Sequence, residues 1–252
     1  MSKIYFGDGD GVAQHPQKIY IGDENGTARL VKKAYVGDTD GLAHQVWPYT
    51  LLPRAYQQVE YIFNTGHTQY IDVGVKPNSD TRMELTFKVV RKYGTSGSQD
   101  MLSVVSNSGK YANVIDMTLN AWEIKFEFGG SSSSYIQFDT YQSEVQHVLD
   151  FNRSGGKFYI DDVLKYSSTT TFSDINANIS VFGRSTPDAI TASNVEYNVY
   201  RFKVWKNNTL MRDMYPCYLK SDSQVVGMYD VAGGAFYGND GTGIFYKGPD
   251  VV

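Results

Sequence analysis

Two glutamates and a lysine occupy every second position of one short stretch. Of the spacings in this sequence, theirs most resembles that of a catalytic pair of carboxylates. Glu123, Lys125 and Glu127 occupy every second position, so on a strand they share one face. Two carboxylates on one face can flank a glycosidic bond as nucleophile and general acid. The ammonium of Lys125 would keep both carboxylates ionised, whereas a general acid needs a raised pKa. We therefore expect a solvent-facing ladder of charges and no hydrolase activity.

Three acidic turns near the N-terminus each carry half of a calcium-binding pattern. Their acidic and amide residues are Asp8, Asp10, Asp23, Asn25, Asp38 and Asp40. Calcium takes about six to eight oxygen ligands, and no glutamate follows at the last ligand position of any of these loops. Asp and Asn also bond to their own backbone in tight turns. We expect turn chemistry here, with neither a metal nor a cofactor.

The rest of the sequence also favours a protein without catalytic machinery. His147 has no second histidine near it in the sequence, so we expect a hydrogen-bonded histidine of the sandwich rather than a ligand or a base. The sequence contains no nucleophile elbow, phosphate-binding loop, dinucleotide fingerprint or Cys/His metal cluster. Cys217 is the only cysteine, which excludes an internal disulfide and favours a buried, structural thiol.

Composition and charge narrow the class of protein. The 252 residues include 20 Tyr and 13 Phe, carry a net charge of −4 and contain no basic block, so we expect no nucleic-acid partner. A composition rich in tyrosine, threonine, serine and glycine favours strands and turns. We identify neither the apolar core of a secretory signal nor a run long enough for a transmembrane helix. No membrane association is expected.

A repeat with a period of 15 residues occupies the first 47 positions. Lys3 to Asp8 returns as Lys18 to Asp23 and again as Lys33 to Asp38. A unit this short holds one hairpin, and a lone hairpin is marginal in water. We therefore expect residues 1–47 to be an attachment and oligomerisation segment, followed by a linker at 48–53. The interface residues predicted within it are Ile4, Tyr5, Ile19, Tyr20 and Tyr35.

Residues 54–252 have the patterning of a β-sandwich. Val59 to Phe63 and Tyr70 to Val73 flank a turn that contains glycine, and they predict a pair of strands. Thr81 to Val89 and Val195 to Lys206 alternate as half-buried strands do, and His147 to Lys165 predicts a hairpin. This period of two, without a sustained helical period, predicts an all-β protein with no helix longer than about two turns.

Several stretches resemble the concanavalin A-like, or laminin G-like, jelly-roll modules of phage and prophage tail proteins of Gram-positive bacteria. The resemblance rests on Tyr56 to Ile62, Thr68 to Asp72, Gly74, His147 to Lys165, Val195 to Lys206 and Val226 to Asp250. This chain has Asp162 where such modules usually have glycine. The resemblance spans nearly all of Tyr56 to Val252 and implies a concanavalin A-like sandwich preceded by three 15-residue hairpin repeats. Its motifs are structural, so they specify fold better than function.

The resemblance implies a non-enzymatic virion accessory protein: a tail, baseplate or head-fibre component. Such a protein would be made in the host cytoplasm and released by lysis. Its repeats would bind other virion proteins, and its sandwich would bind host-surface glycan. Phage fibres are commonly trimeric, so by that analogy we expect a homo-oligomer. The alternatives are a bacterial surface adhesion module, a purely structural decoration protein, and a glycoside hydrolase, against which Lys125 argues.

Candidate carbohydrate contacts are aromatic residues beside glycine- and serine-rich loops, because sugar rings stack on aromatic faces and bond to polar groups. They are Tyr93, Tyr111, Trp122, Tyr135 and Tyr141, together with Arg184 among the late loops. Each of these aromatic side chains can instead fill the core or the sheet surface. The sequence leaves both roles open.

Overall fold

A computed structural model describes the chain as strands and connecting loops. It describes residues 6–7, 13–14, 20–22, 28–30, 34–37, 43–47, 52–65, 68–92, 99–105, 111–117, 123–128, 134–137, 145–153, 155–193 and 195–251. No helix occurs among these residues, which confirms the all-β prediction. The described chain divides into two compact units, one ending at Arg54 and the other running from Ala55 to Val251.

The residues described in the N-terminal unit form three separate pairs of short antiparallel strands. They are β1 (Phe6–Gly7) with β2 (Ala13–Gln14), β3 (Tyr20–Gly22) with β4 (Ala28–Leu30), and β5 (Ala34–Gly37) with β6 (Ala43–Trp47). Each pair falls within one copy of the sequence repeat. The residues that join the paired strands lie outside the described ones, so the role of residues 1–47 in attachment stays a prediction.

In the second unit, the described residues form nineteen strands. They are β7 (Tyr56–Gln58), β8 (Ile62–Phe63), β9 (Ile71–Asp72), β10 (Arg82–Lys92), β11 (Gln99–Val105), β12 (Tyr111–Met117), β13 (Glu123–Glu127), β14 (Ser134–Gln137), β15 (His147–Arg153), β16 (Lys157–Ile160), β17 (Val163–Ser167), β18 (Ser180–Val181), β19 (Gly183–Ser185), β20 (Ile190–Ala192), β21 (Val195–Lys206), β22 (Thr209–Leu219), β23 (Asp222–Asp230), β24 (Ala235–Tyr237) and β25 (Tyr246–Lys247).

Two sheets account for most of these strands. The large sheet has eleven strands in the order β17-β16-β15-β10-β21-β22-β23-β24, with β7 beside β22 and with β8 between β21 and β25. The smaller sheet has six strands in the order β14-β13-β12-β11-β19-β20. Pairing is antiparallel except between β11 and β19. The antiparallel sheets and the shared apolar core are those of a β-sandwich.

Strands occur in both of the runs predicted near the start of this unit, although each is only two residues long. Its second run contains β9, which pairs with β18, while β8 in the first run pairs with β21 and β25. The first run is also interrupted, since Val59 forms an isolated bridge with Asp250, and Glu60 and Tyr61 belong to no strand before β8 begins. The two runs therefore belong to different sheets: β8 to the large sheet, and β9 to a separate pair with β18.

Alternation along the central strands sets the two faces of the large sheet. Met83, Leu85, Phe87 and Val89 of β10 are buried, as the sequence predicts, and they join one core cluster with residues of the smaller sheet. Burying each such side chain stabilises the fold by about 1.5–3 kcal/mol. The opposite face of the large sheet, called the outer face below, carries the side chains of Arg82, Glu84, Arg201, Lys203 and Trp205.

A buried tyrosine ties the large sheet to the smaller one. Tyr197 of β21 is fully buried, and its hydroxyl donates to the Met101 carbonyl at 2.6 Å while accepting from the Phe182 N–H at 2.7 Å. Burial raises the pKa of this hydroxyl well above its ordinary value, and the bond from Phe182 offsets part of that rise. The hydroxyl therefore stays protonated at physiological pH and keeps both bonds.

The predicted buried thiol is confirmed. Cys217 of β22 is buried and makes no disulfide. Burial raises the pKa of its thiol to about 12, partly offset by a backbone hydrogen bond at Tyr229. The thiol is therefore protonated and unreactive at neutral pH.

Candidate functional site

Three turns meet at one end of the large sheet and enclose a groove of about 660 Å³. The registers of β10 explain the meeting, because Arg82 lies opposite Trp205 of β21 and Met83 lies opposite Phe151 of β15. The start of one strand and the ends of two others therefore share an edge. The groove is lined by Ser79, Asp80, Arg82, Asn152, Arg153, Gly155, Trp205, Asn207 and Asn208.

Asn152 joins the first two turns. It is 4% exposed, and its Nδ2 donates to the carbonyls of Ser79 at 2.7 Å and Thr81 at 2.8 Å. Its Oδ1 accepts the N–H of Gly156. The backbone of Asn152 has a φ of 64°, a left-handed conformation that asparagine tolerates better than most residues. The side chain thus fixes one wall of the groove from within.

The third turn is a two-residue hairpin loop between β21 and β22. Asn207 and Asn208 have φ values of 49° and 62°, which is the conformation of a type I′ turn. The Nδ2 of Asn78 donates to the Oδ1 of Asn207 at 3.2 Å and connects this turn to the first one. The exposed amide of Asn208 remains at the rim of the groove.

Trp205 lies against a fixed cation. The guanidinium carbon of Arg82 is 4.4 Å from the centre of the Trp205 ring, close enough for a cation–π contact. Arg82 is itself held by two hydrogen bonds of 2.7 Å, from Nε and Nη2 to the two oxygens of Asp150. Bidentate pairs of this kind set the plane of the guanidinium. The indole is therefore held in place before any ligand arrives.

The buried carboxylate of Asp150 lies close to both arginines of the groove. Arg153 approaches the Oδ2 of Asp150 at 3.6 Å and donates from Nη1 to the exposed Asp162 at 2.7 Å. The Asp162 bond, together with the charge of Asp150, raises the pKa of Arg153. Since both oxygens of Asp150 accept bonds from Arg82, this carboxylate orients the cations, and the arrangement suits binding better than acid–base chemistry.

The three predicted carbohydrate contacts that the structure describes are not among the residues that line this groove. Arg184 lies half-buried in β19, and Tyr111 and Tyr135 lie in β12 and β14, all in the smaller sheet. The other predicted contacts, Tyr93, Trp122 and Tyr141, lie outside the described residues. The described groove lies on the larger sheet, and carbohydrate binding by the six predicted residues stays a prediction.

The structure also describes the predicted charge ladder, His147 and two of the predicted interface residues. Glu123, Lys125 and Glu127 lie on β13, which confirms the strand, and Lys125 is the register partner of Asp116 and Tyr135. The Nδ1 of His147 is 2.7 Å from an oxygen of Asp161, consistent with the histidine predicted for the sandwich. Of the predicted interface residues, Tyr20 and Tyr35 lie in β3 and β5, while Ile4, Tyr5 and Ile19 lie outside the described residues.

Within the described residues, no group of three or more His, Cys, Asp or Glu side chains is placed to hold a metal ion. None of the described segments is a helix with the length and apolar character needed to cross a bilayer.

Comparison with known proteins gives structural likeness without a matching family. No model of a known protein family matches the sequence, and no curated protein matches it. Among solved structures, the full extracellular region of zebrafish Gpr126/Adgrg6 is similar at 13% sequence identity and a TM-score of 0.40. The match covers 81% of this chain, which spans 27% of that protein's chain. The all-β assignment therefore rests on the strands and registers of this chain itself.

Proposed function

We propose that this protein is a non-enzymatic binding module and that the groove around Trp205 binds carbohydrate. The observation that carries the proposal is the half-buried indole, fixed by Arg82 and surrounded by amide and guanidinium groups from three turns. Aromatic rings stack on the apolar faces of sugars, while amides, carboxylates and arginines form hydrogen bonds with the sugar hydroxyls. A groove with one apolar platform and several convergent polar groups is the usual form of a small-ligand site.

The preorganisation of the groove supports this proposal. Arg82, Asn152 and Asn207 are each held by hydrogen bonds to residues in or directly behind the three turns. Side chains that are ordered beforehand lose little rotamer entropy when a ligand binds, and this raises affinity. The cations of the groove are also paired with carboxylates, which favours a hydroxyl-rich, weakly charged ligand over a strongly anionic one.

The biological setting of the proposal comes from the sequence. The resemblance to phage modules favours a virion accessory protein that binds glycan on the surface of a Gram-positive host, with residues 1–47 binding other virion proteins. The absence of catalysis is proposed because Lys125 separates the two glutamates of β13.

Replacing Asn208 with glycine tests the groove without disturbing the hairpin. Glycine adopts the φ of 62° freely, so we expect thermal stability to stay the same or rise slightly. Losing the exposed amide should weaken retention of Gram-positive cell-wall polysaccharide on a column of immobilised protein by about three- to ten-fold. This is the change in affinity expected when one hydrogen bond is lost.

Ser221→Gly is the matched control, because Ser221 is an exposed residue in the β22–β23 turn, at the other end of β22. It should retain the polysaccharide as the wild type does. Wild-type retention by Asn208→Gly, or equal losses in both variants, would refute a role for the groove.

A further inference from the structure

A second aromatic surface lies on the same outer face, toward the other end of β21. It consists of Tyr61, Phe63, Tyr200 and Tyr246 and is called the aromatic patch below. Its ring centres are 5.3 Å apart for Tyr61 and Tyr200, 5.5 Å for Phe63 and Tyr246, and 6.1 Å for Tyr61 and Phe63. Tyr246 is 49% exposed, so the patch has an open side.

The backbone around the patch fixes its position on the sheet. β8 pairs with β21 on one side and with β25 on the other, which brings Phe63 opposite both Asn198 and Tyr246. Gly248 packs on the ring of Tyr61, since a Cβ added there would lie 2.7 Å from a ring carbon. The Gly248 N–H also donates to the Tyr61 carbonyl at 2.8 Å. The patch is therefore a fixed surface and not a set of loose side chains.

Ordered polar groups connect the patch to the groove. Lys203 and Arg201 lie between Tyr200 and Trp205 along β21, and they face outward. Lys203 donates to Glu84 at 2.5 Å. Arg201 donates two bonds of 2.8 Å to Asp213, and its guanidinium lies 4.5 Å from the ring centre of Tyr215.

A hydroxyl on this connecting surface remains a donor at neutral pH. Burial, and then the charge of Asp213, raise the pKa of Tyr215 to about 12, although Arg201 partly offsets them. The outer face therefore has an aromatic platform at each end, Trp205 and the aromatic patch, with fixed hydrogen-bond donors and acceptors between them.

The separation of the two platforms indicates the size of the ligand. Tyr200 is the extra residue of a β-bulge, because Thr86 lies opposite Arg201 and Phe87 opposite Val199, and the bulge lets Tyr200 face outward as Trp205 does. The two residues are five positions apart on one strand, a distance of about 16 Å at the usual rise per residue. A pyranose ring is similar in size to one aromatic side chain, so a monosaccharide cannot touch both platforms. We infer that the outer face binds an extended polysaccharide chain of several sugar units, anchored at Trp205 and again at the aromatic patch. This inference rests on the proposed carbohydrate function.

Chain-length dependence tests the inference. The probe is polysaccharide from Gram-positive cell walls, partly depolymerised, separated by size and passed over immobilised full-length protein. We expect retention to increase with length until fragments span both platforms. Tyr246→Ala should reduce retention of the long fragments by about three- to ten-fold, to the level of the short ones, and leave the short ones unchanged.

Leu164→Ala is the control, because Leu164 is 50% exposed on β17 at the edge of the sheet. It should behave as the wild type, and both variants should keep the wild-type unfolding temperature. Retention independent of length, with loss of all retention only in Trp205→Ala, would overturn the extended site while the groove stands. A Tyr246→Ala variant that changes the oligomeric state in light scattering, without changing length dependence, would make the patch a protein interface and also overturn the inference. Failure of the wild type to retain any fragment would overturn both the groove and the extended site.

Discussion

The Trp205→Ala variant should lose at least nine-tenths of the wild-type retention of Gram-positive cell-wall polysaccharide. Trp205 supplies the apolar platform of the groove, and aromatic residues in fixed, half-buried positions carry a large share of binding energy at such sites. Its removal also takes away the surface against which Arg82 lies, at 4.4 Å from the ring centre. We therefore expect an effect larger than that of Asn208→Gly, which removes one amide. Affinity chromatography of the two variants on the same day measures the difference.

A conservative variant separates loss of the platform from loss of the fold. Trp205→Phe keeps an aromatic face and should recover much of the retention that Trp205→Ala loses. Because the indole lies on the outer face, neither variant should change the cooperativity of thermal unfolding. Equal retention by wild type and Trp205→Ala would remove the basis for a carbohydrate site in the groove.

Asp230→Ala should be the most destabilising polar substitution in the large sheet. Asp230 is fully buried, and its Oδ1 accepts the backbone N–H groups of Asp213 at 2.8 Å and Ala232 at 3.0 Å. Its Oδ2 accepts from Gly233 at 3.0 Å and lies 3.7 Å from the Nε of Arg212. Alanine would leave these donors without an acceptor, so we expect a loss of about 3–5 kcal/mol in the free energy of unfolding.

Urea unfolding measures this loss, with Asp222→Ala as the control. Asp222 is exposed and accepts a bond from the N–H of Gln224 at 3.0 Å, so its replacement should cost no more than about 0.5 kcal/mol. The Asp230 variant also bears on function, since Asp230 holds the backbone of Asp213, which in turn orients Arg201 on the outer face. A loss below about 1 kcal/mol would show that water can replace the carboxylate.

The sequence predicted the strands well wherever alternation was long. β21 has the predicted bounds, Val195–Lys206, and the hairpin predicted in His147 to Lys165 contains β15 and β16. β10 runs three residues beyond the predicted Val89, because its pairing with β21 continues to Lys92. Pairing between distant segments leaves no local mark on the sequence, and for the same reason the partners of β8 and β9 could not be predicted.

The site was less predictable because it is assembled from three turns that are far apart in the chain. Asn152 and Asn207 meet around Arg82 only through the antiparallel registers of β10. The sequence did contain two partial signals. An Asn-Asn pair between alternating strands favours a type I′ turn, and the alternation of β21 puts Trp205 on one face with Arg201 and Lys203. Neither signal says that a second and a third turn lie beside them.

Amide hydrogen exchange of the full chain, with and without Gram-positive cell-wall polysaccharide, tests the central claim most directly. If the groove binds carbohydrate, the polysaccharide should slow exchange in residues 78–82, 152–156 and 205–209, the three turns that line the groove. Slowed exchange confined to residues 93–141 would contradict the account, because it would put the binding surface on the segment that holds Tyr93, Tyr111, Trp122, Tyr135 and Tyr141.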